Sequence, residues 1–163
     1  MPDIHTLRRI LGTCKTLAVV GLSPQWHRPS FFAAKYLQGH GYRIVPINPG
    51  ASGILGEPSY PSLTAAAQAL AAEGRKIDMV DCFRKTGDIP PLADEAIAIG
   101  ASCLWQQIGV VHEAAAQKAR DAGLATVMDR CVKIEHARLF GGLNWAGVNT
   151  QVISSRRPQQ LPY

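Results

Sequence analysis

The sequence predicts an α/β protein: a Rossmann-like open parallel sheet with helices on both faces, built as a single domain. Three observations carry this. Short apolar runs alternate with helical patterns along the chain, the first run empties into a glycine- and hydroxyl-bearing loop, TLAVVGLSPQWHRPS (Thr16 to Ser30), and the second ends in YRIVPINPG (Tyr42 to Gly50). Strand-to-helix alternation implies right-handed βαβ units and hence parallel strands. Runs such as AVVG and DMVD do not alternate cleanly with polar residues, as expected where both sheet faces are covered.

The elements follow in order. Ile4, Leu7, Ile10 and Leu11 share one helical face, so residues 1–15 read as an N-terminal covering helix. Strands are expected at Leu17 to Val20, Tyr42 to Ile47, Ile77 to Phe83, Ser102 to Trp105 and Ala125 to Met128. Helices are expected at Ser30 to Gln38, with Pro29 and Ser30 supplying the start and cap, at alanine-rich Leu63 to Glu73, at Pro91 to Ile99 and at His112 to Ala122. Gly100 and Gly123 close the last two. VMDRCVKIEHARL then joins the final strand to a further helix with Cys131 near its N-terminus. The domain proper is expected over residues 16–140, with residues 141–163 a partly mobile C-terminal extension ending in SSRRPQQLPY.

With 163 residues, 47% hydrophobic and 18% charged, the chain suits one well-buried domain. The formal net charge of +5 is compatible with nucleic acid, but the basic residues are scattered without interleaved aromatics. A small polyanionic ligand accounts for it equally well. Cys14, Cys82, Cys103 and Cys131 show no C-x-x-C spacing, which points to reduced thiols and a cytoplasmic setting. No run approaches a membrane span, and Lys15 interrupts what would otherwise resemble a signal peptide.

Ligands of open parallel sheets bind beyond the carboxyl ends of the strands, where strand order reverses. The loops at Gly21 to Ser30, Asn48 to Gly53, Arg84 to Asp88, Gln106 to Gly109 and Asp129 to Cys131 should therefore share one rim. In the first loop, Gly21 permits close backbone approach, Ser23 and Ser30 offer hydroxyls, and Arg28 offers a fork of donors suited to phosphate. The same residues could instead make a turn, cap a helix and face solvent. The second strand ends in Asn48 and Pro49, where a nicotinamide-dinucleotide enzyme would place an acid against the ribose. Asn48 could meet an adenine edge or a ribose, or simply make an Asn-Pro-Gly turn.

Arg84 and Lys85 follow the third major strand and could neutralise a second phosphate group. In LWQQIGV, Trp105 reads as core while Gln106, at a strand end, is the better ligand candidate, beside Gly109. Cys131, near a helix N-terminus and next to Arg130 and Lys133, is the best candidate for a thiol of lowered pKa, although a buried inert cysteine explains it too. Glu135 and His136 are adjacent on a helix and do not pair as acid and base; there is no HExxH pattern, Gly-x-Ser-x-Gly elbow or Walker lysine. No catalytic constellation and no metal site is expected.

Taken together, VVGLSP…RPS, YLQGHGYRIVPINP, ILGEPSYPSL, VDCFR, LWQQIGV and VMDRCVKIEHARL resemble the small CoA-binding proteins of the YccU-like family, over roughly Thr16 to Leu139. These are similar to the CoA-binding domain of the succinyl-CoA synthetase alpha subunit. The resemblance implies a stand-alone module that binds coenzyme A or an acyl-CoA without an established reaction. It implies that Gly21, Ser23, Arg28 and Ser30 hold the pyrophosphate region, and that Asn48 and Pro49 border the adenosine. Arg84 would lie near the nucleotide, and Gln106, Gly109 and Cys131 would border the cleft. This chain departs from the family in having Cys82 at a usually aliphatic position, and Trp26 and His27 in a bulkier first loop. Two other readings stay open: an NADP-dependent reductase or epimerase, without a Tyr-x-x-x-Lys pair, and a nucleic-acid or regulatory protein resting on charge alone. A protein partner or a homo-oligomer is left open as well.

Overall fold

In the computed structural model, residues 2–141 are described. The expected extension over residues 141–163 lies, apart from Gly141, outside the described residues. Seven strands and six α-helices follow in order: α1 (Ile4–Thr13), β1 (Thr16–Val20), α2 (Pro29–Gly39), β2 (Arg43–Ile47), β3 (Gly53–Ile54), β4 (Glu57–Pro58), α3 (Leu63–Ala72), β5 (Met79–Cys82), α4 (Ile89–Ala98), β6 (Cys103–Gln106), α5 (Glu113–Asp121), β7 (Ala125–Val127) and α6 (Val132–Phe140). A single 3-10 turn, Thr86–Asp88, leads into α4.

Five strands form one parallel sheet in the order β2-β1-β5-β6-β7. The open parallel sheet is as expected, while the two-residue strands β3 and β4 pair as a hairpin too short to leave a periodic signal. Strand order reverses between β1 and β5, because the chain moves outward from β1 to β2 and then crosses back.

Side chains alternate across the sheet, and each face has its own three helices. Ala18, Val20, Val80, Cys82 and Leu104 pack beneath α3, α4 and α5 through Leu63, Ala66, Leu70, Ala93, Ala115 and Ala119. Leu17, Val19, Met79, Cys103 and Trp105 pack beneath α1, α2 and α6 through Leu7, Ile10, Leu11, Leu37, Val132 and Leu139. Two-sided burial is the reason the strands read as unbroken apolar runs. Cys82 joins the first of these cores as neutral packing, and Trp105 is fully buried, donating its indole N–H to the Arg130 carbonyl at 2.7 Å.

The helix starts are set locally. Asp3 accepts from the Thr6 N–H at 2.7 Å, Ser62 from Ala65 at 3.1 Å, and His112 Nδ1 from Ala115 at 3.1 Å. Helix α2 differs from expectation: Pro29 is its first residue, Arg28 holds the cap position without a side-chain cap, and Ser30 lies inside the first turn. Pro46 is tolerated in β2 because β2 is an edge strand, and the following segment, through Tyr60, covers that edge by accepting from Asn48 N–H at 2.9 Å.

Candidate functional site

The strand exits converge as required by the topology. At the exit of β1, Gly21 adopts φ +83° and donates its N–H to the Ile47 carbonyl at 3.0 Å. A Cβ there would sit 2.4 Å from the Phe83 carbonyl oxygen and 3.0 Å from Arg84 Cδ. Only glycine allows the β1 and β5 exits to approach this closely at the switch point. The glycine thus shapes the rim by pulling two strand exits together.

The rest of the first loop is tied by its own hydroxyls. Ser30 is buried and its Oγ accepts from Ser23 N–H at 3.0 Å, while Ser23 Oγ accepts from Gln25 N–H at 3.1 Å. Both serines close the loop over the start of α2. Arg28 is exposed, its Nε 3.2 Å from Gln25 Oε1. Trp26 is 71% exposed and meets His27 edge-on.

Asn48 is occupied at both ends of its amide. Nδ2 donates to the Leu22 carbonyl at 2.9 Å and Oδ1 accepts from Gly50 N–H at 2.8 Å. The residue clamps the exits of β1 and β2 together, next to exposed Pro49. Gln106 is likewise committed: it is fully buried, its Oε1 accepts from His112 N–H at 2.8 Å and its Nε2 reaches the His112 carbonyl at 3.5 Å. Gln106, a ligand candidate from its place at a strand end, thus pairs its amide with the backbone preceding α5.

A cleft of about 950 Å³ opens where α2, the β5 exit, the β6 exit and α6 meet. Its size falls within the range of small-molecule sites. Of the residues singled out from sequence, Arg84, Lys85, Gly109 and Cys131 line it; Arg28 does not, although the next residue in the chain, Pro29, does. Arg84 and Lys85 make one wall cationic, with Arg84 Nε 3.2 Å from the Asp88 carboxylate and both side chains of that ion pair about half exposed. Gly109 is held in a tight turn, φ +80°, by its N–H bond to Asp129 Oδ1 at 2.7 Å.

Cys131 is the cap residue of α6 and makes no side-chain cap hydrogen bond there. Burial pushes its thiol up, outweighing the backbone N–H groups of Ile134 and Lys133 that favour the thiolate. The lowered pKa expected from the helix terminus and nearby cations is therefore reversed, because loss of water around the thiol outweighs the helix-terminal N–H groups and Lys133 that favour the thiolate.

Two residues not singled out from sequence form a polar pair at the floor, Gln107 in the lining and Asp81 buried beneath it. Gln107 is 4% exposed, lines the cleft and donates Nε2–H to Asp81 Oδ1 at 2.6 Å. Asp81 is 1% exposed in the central strand β5, and its Oδ2 has no hydrogen-bond partner. Burial pushes its carboxyl up to about 7, against a smaller opposing effect of the Gln107 amide. An acid inside a buried apolar strand is a readable signal, since unpaired charges are rarely placed there. Among the described residues no group of His, Cys, Asp and Glu is arranged to hold a metal ion, and no helix is long and apolar enough to cross a membrane.

Comparison with known proteins agrees with this geometry. A family model described as a CoA binding domain matches residues 15–137. The uncharacterized protein YneT of Bacillus subtilis is 35% identical over 136 residues, covering 83% of this chain and 96% of that one. A hypothetical protein from Pyrococcus horikoshii superposes with TM-score 0.77 at 36% identity, covering 86% of this chain and 94% of its own. A Thermus thermophilus protein gives TM-score 0.75 at 30% identity, covering 85% and 100%. With the motifs, the sheet order and the match over most of its length in agreement, this chain belongs to the CoA binding domain family.

Proposed function

We propose that the protein binds coenzyme A or an acyl-CoA as a stand-alone module, with no catalytic step of its own. The observation that carries this is the cleft beyond the strand exits with Arg84 and Lys85 on one wall and Pro29, the residue after exposed Arg28, in its lining. Coenzyme A presents a pyrophosphate and a separate 3′-phosphate, and two basic places along one rim match that spacing of charge in kind. The first turn of α2 adds the Ser30 backbone N–H, since Pro29 has none and those of Phe31 and Phe32 are donated to the Arg28 carbonyl. The pantetheine arm then has the less charged part of the cleft, towards Gly109 and Cys131, available to it.

The test is calorimetric titration of the reduced protein with CoA, acetyl-CoA, NADP and ATP in parallel. Binding confined to the CoA compounds is the expected result, and Arg28→Ala should weaken it about tenfold, the equivalent of one charge-assisted contact. Binding of NADP alone would replace the proposal with a reductase. Equal CoA affinity in wild type and Arg28→Ala would remove Arg28 from the phosphate site while leaving Arg84 and Lys85 to be tested the same way.

A further inference from the structure

We propose that the Asp81–Gln107 pair forms an acceptor floor for the cleft, with Asp81 positioning the Gln107 amide so that its oxygen receives an N–H of the ligand's pantetheine arm. The proposal rests on the CoA reading above and assigns the arm a place and a polarity.

The orientation follows from chemistry. The amide turns its N–H end to Asp81 Oδ1, at 2.6 Å, an oxygen that accepts from it both when the carboxyl is ionised and when the proton sits on Oδ2. Gln107 Oε1 makes no hydrogen bond among the described residues. The side chain is nonetheless 4% exposed and lines the cleft. An acceptor left without a protein partner on the lining of a cleft is matched best by a ligand that brings a donor. Phosphates and thioester oxygens bring only acceptors; the pantetheine arm brings a hydroxyl and two amide N–H groups, and the nucleotide's donors are its adenine amine and ribose hydroxyl, which 3′-phospho-ADP also carries.

Asp81 is placed to hold this orientation and nothing else. It is fixed in the centre of the sheet, paired in register between Val19 and Trp105, and does not itself line the cleft. The titratable groups around it are the thiols of Cys82, Cys103 and Cys131, all pushed up by burial and hence uncharged near neutral pH. With its carboxyl protonated or not, Oδ1 remains an acceptor for Gln107.

The experiment compares the affinities for CoA and for 3′-phospho-ADP, which carries the nucleotide and phosphates without the arm, in wild type, Gln107→Leu and Gln107→Glu. In wild type, CoA should bind at least about tenfold more tightly than 3′-phospho-ADP. Gln107→Leu should lower the affinity for CoA about tenfold and change that for 3′-phospho-ADP by less than about twofold. Gln107→Glu keeps an acceptor over the cleft while one proton is shared with Asp81, so the preference for CoA should persist in it at about pH 6. The ratio of the two affinities is read, which cancels any general repulsion of the phosphates. Equal loss for both ligands in Gln107→Leu, or no loss, would overturn the proposal, as would a Gln107→Glu variant that loses the preference for CoA at about pH 6. A wild type that binds both ligands alike would overturn it and leave the CoA site standing. Failure to bind CoA at all would remove both.

Discussion

Asp81→Asn isolates the energetics of the floor. The side chain is 1% exposed, one oxygen meets Gln107 and the other has no partner, and burial pushes the carboxyl from the ordinary 3.8 to about 7. Because a tenfold change in proton affinity is worth about 1.4 kcal/mol, that rise amounts to a ceiling on the order of 4 kcal/mol. Between about pH 4 and pH 7 the native protein keeps a proton that the unfolded chain has released, so the native state binds more protons and stability falls as pH rises through that window. Above about pH 7 both states are ionised at this site and the effect is constant. Asparagine has the same shape and stays neutral. Its amide nitrogen, in the place of Oδ2, would lack an acceptor at a cost of about 1–3 kcal/mol, but that cost does not vary with pH. Urea unfolding of wild type and Asp81→Asn across about pH 4 to 8 should show the variant gaining several kcal/mol relative to wild type on going to the upper end. Carboxylates common to both proteins cancel in the difference, including Asp3, whose lowered pKa acts only at the acid end. Two stability curves that run parallel within about 1 kcal/mol would refute the buried-acid reasoning.

Gly21→Ala should destabilise the fold by about 2–4 kcal/mol, since the added Cβ meets the Phe83 carbonyl at 2.4 Å in a left-handed backbone; an unchanged chemical-denaturation midpoint would contradict the close approach of the two strand exits. Asn48→Ala should cost about 1–3 kcal/mol by releasing the Leu22 carbonyl and Gly50 N–H, with a thermal shift as the readout. Cys131 should react with iodoacetamide at about pH 7.5 more slowly than an unstructured cysteine peptide and more slowly still with CoA bound; fast labelling unaffected by CoA would place the thiol outside the cleft.

The alternation of apolar runs and helical patterns was enough to read the parallel sheet and its two helical layers, because strands covered on both sides and helices of period 3.6 leave their mark on consecutive residues. The loop residues were also legible as a group, since the strand exits of such a sheet have to meet on one edge. What each side chain does there was not. Asn48 and Gln106 stood as ligand candidates, Asn48 with a plain turn as the alternative; the Asn48 amide meets Leu22 from another strand exit and Gly50 in its own turn, and Gln106 meets His112 six residues on. Gln107, one residue further on, is the one at the cleft, paired with an acid in a neighbouring strand 26 positions away. Cys131 sits at a helix start as expected, and its burial among the helices nevertheless raises its thiol pKa. Local period is written into neighbouring residues, but burial and hydrogen-bond satisfaction depend on groups brought together from distant parts of the chain, and only the tertiary structure decides those.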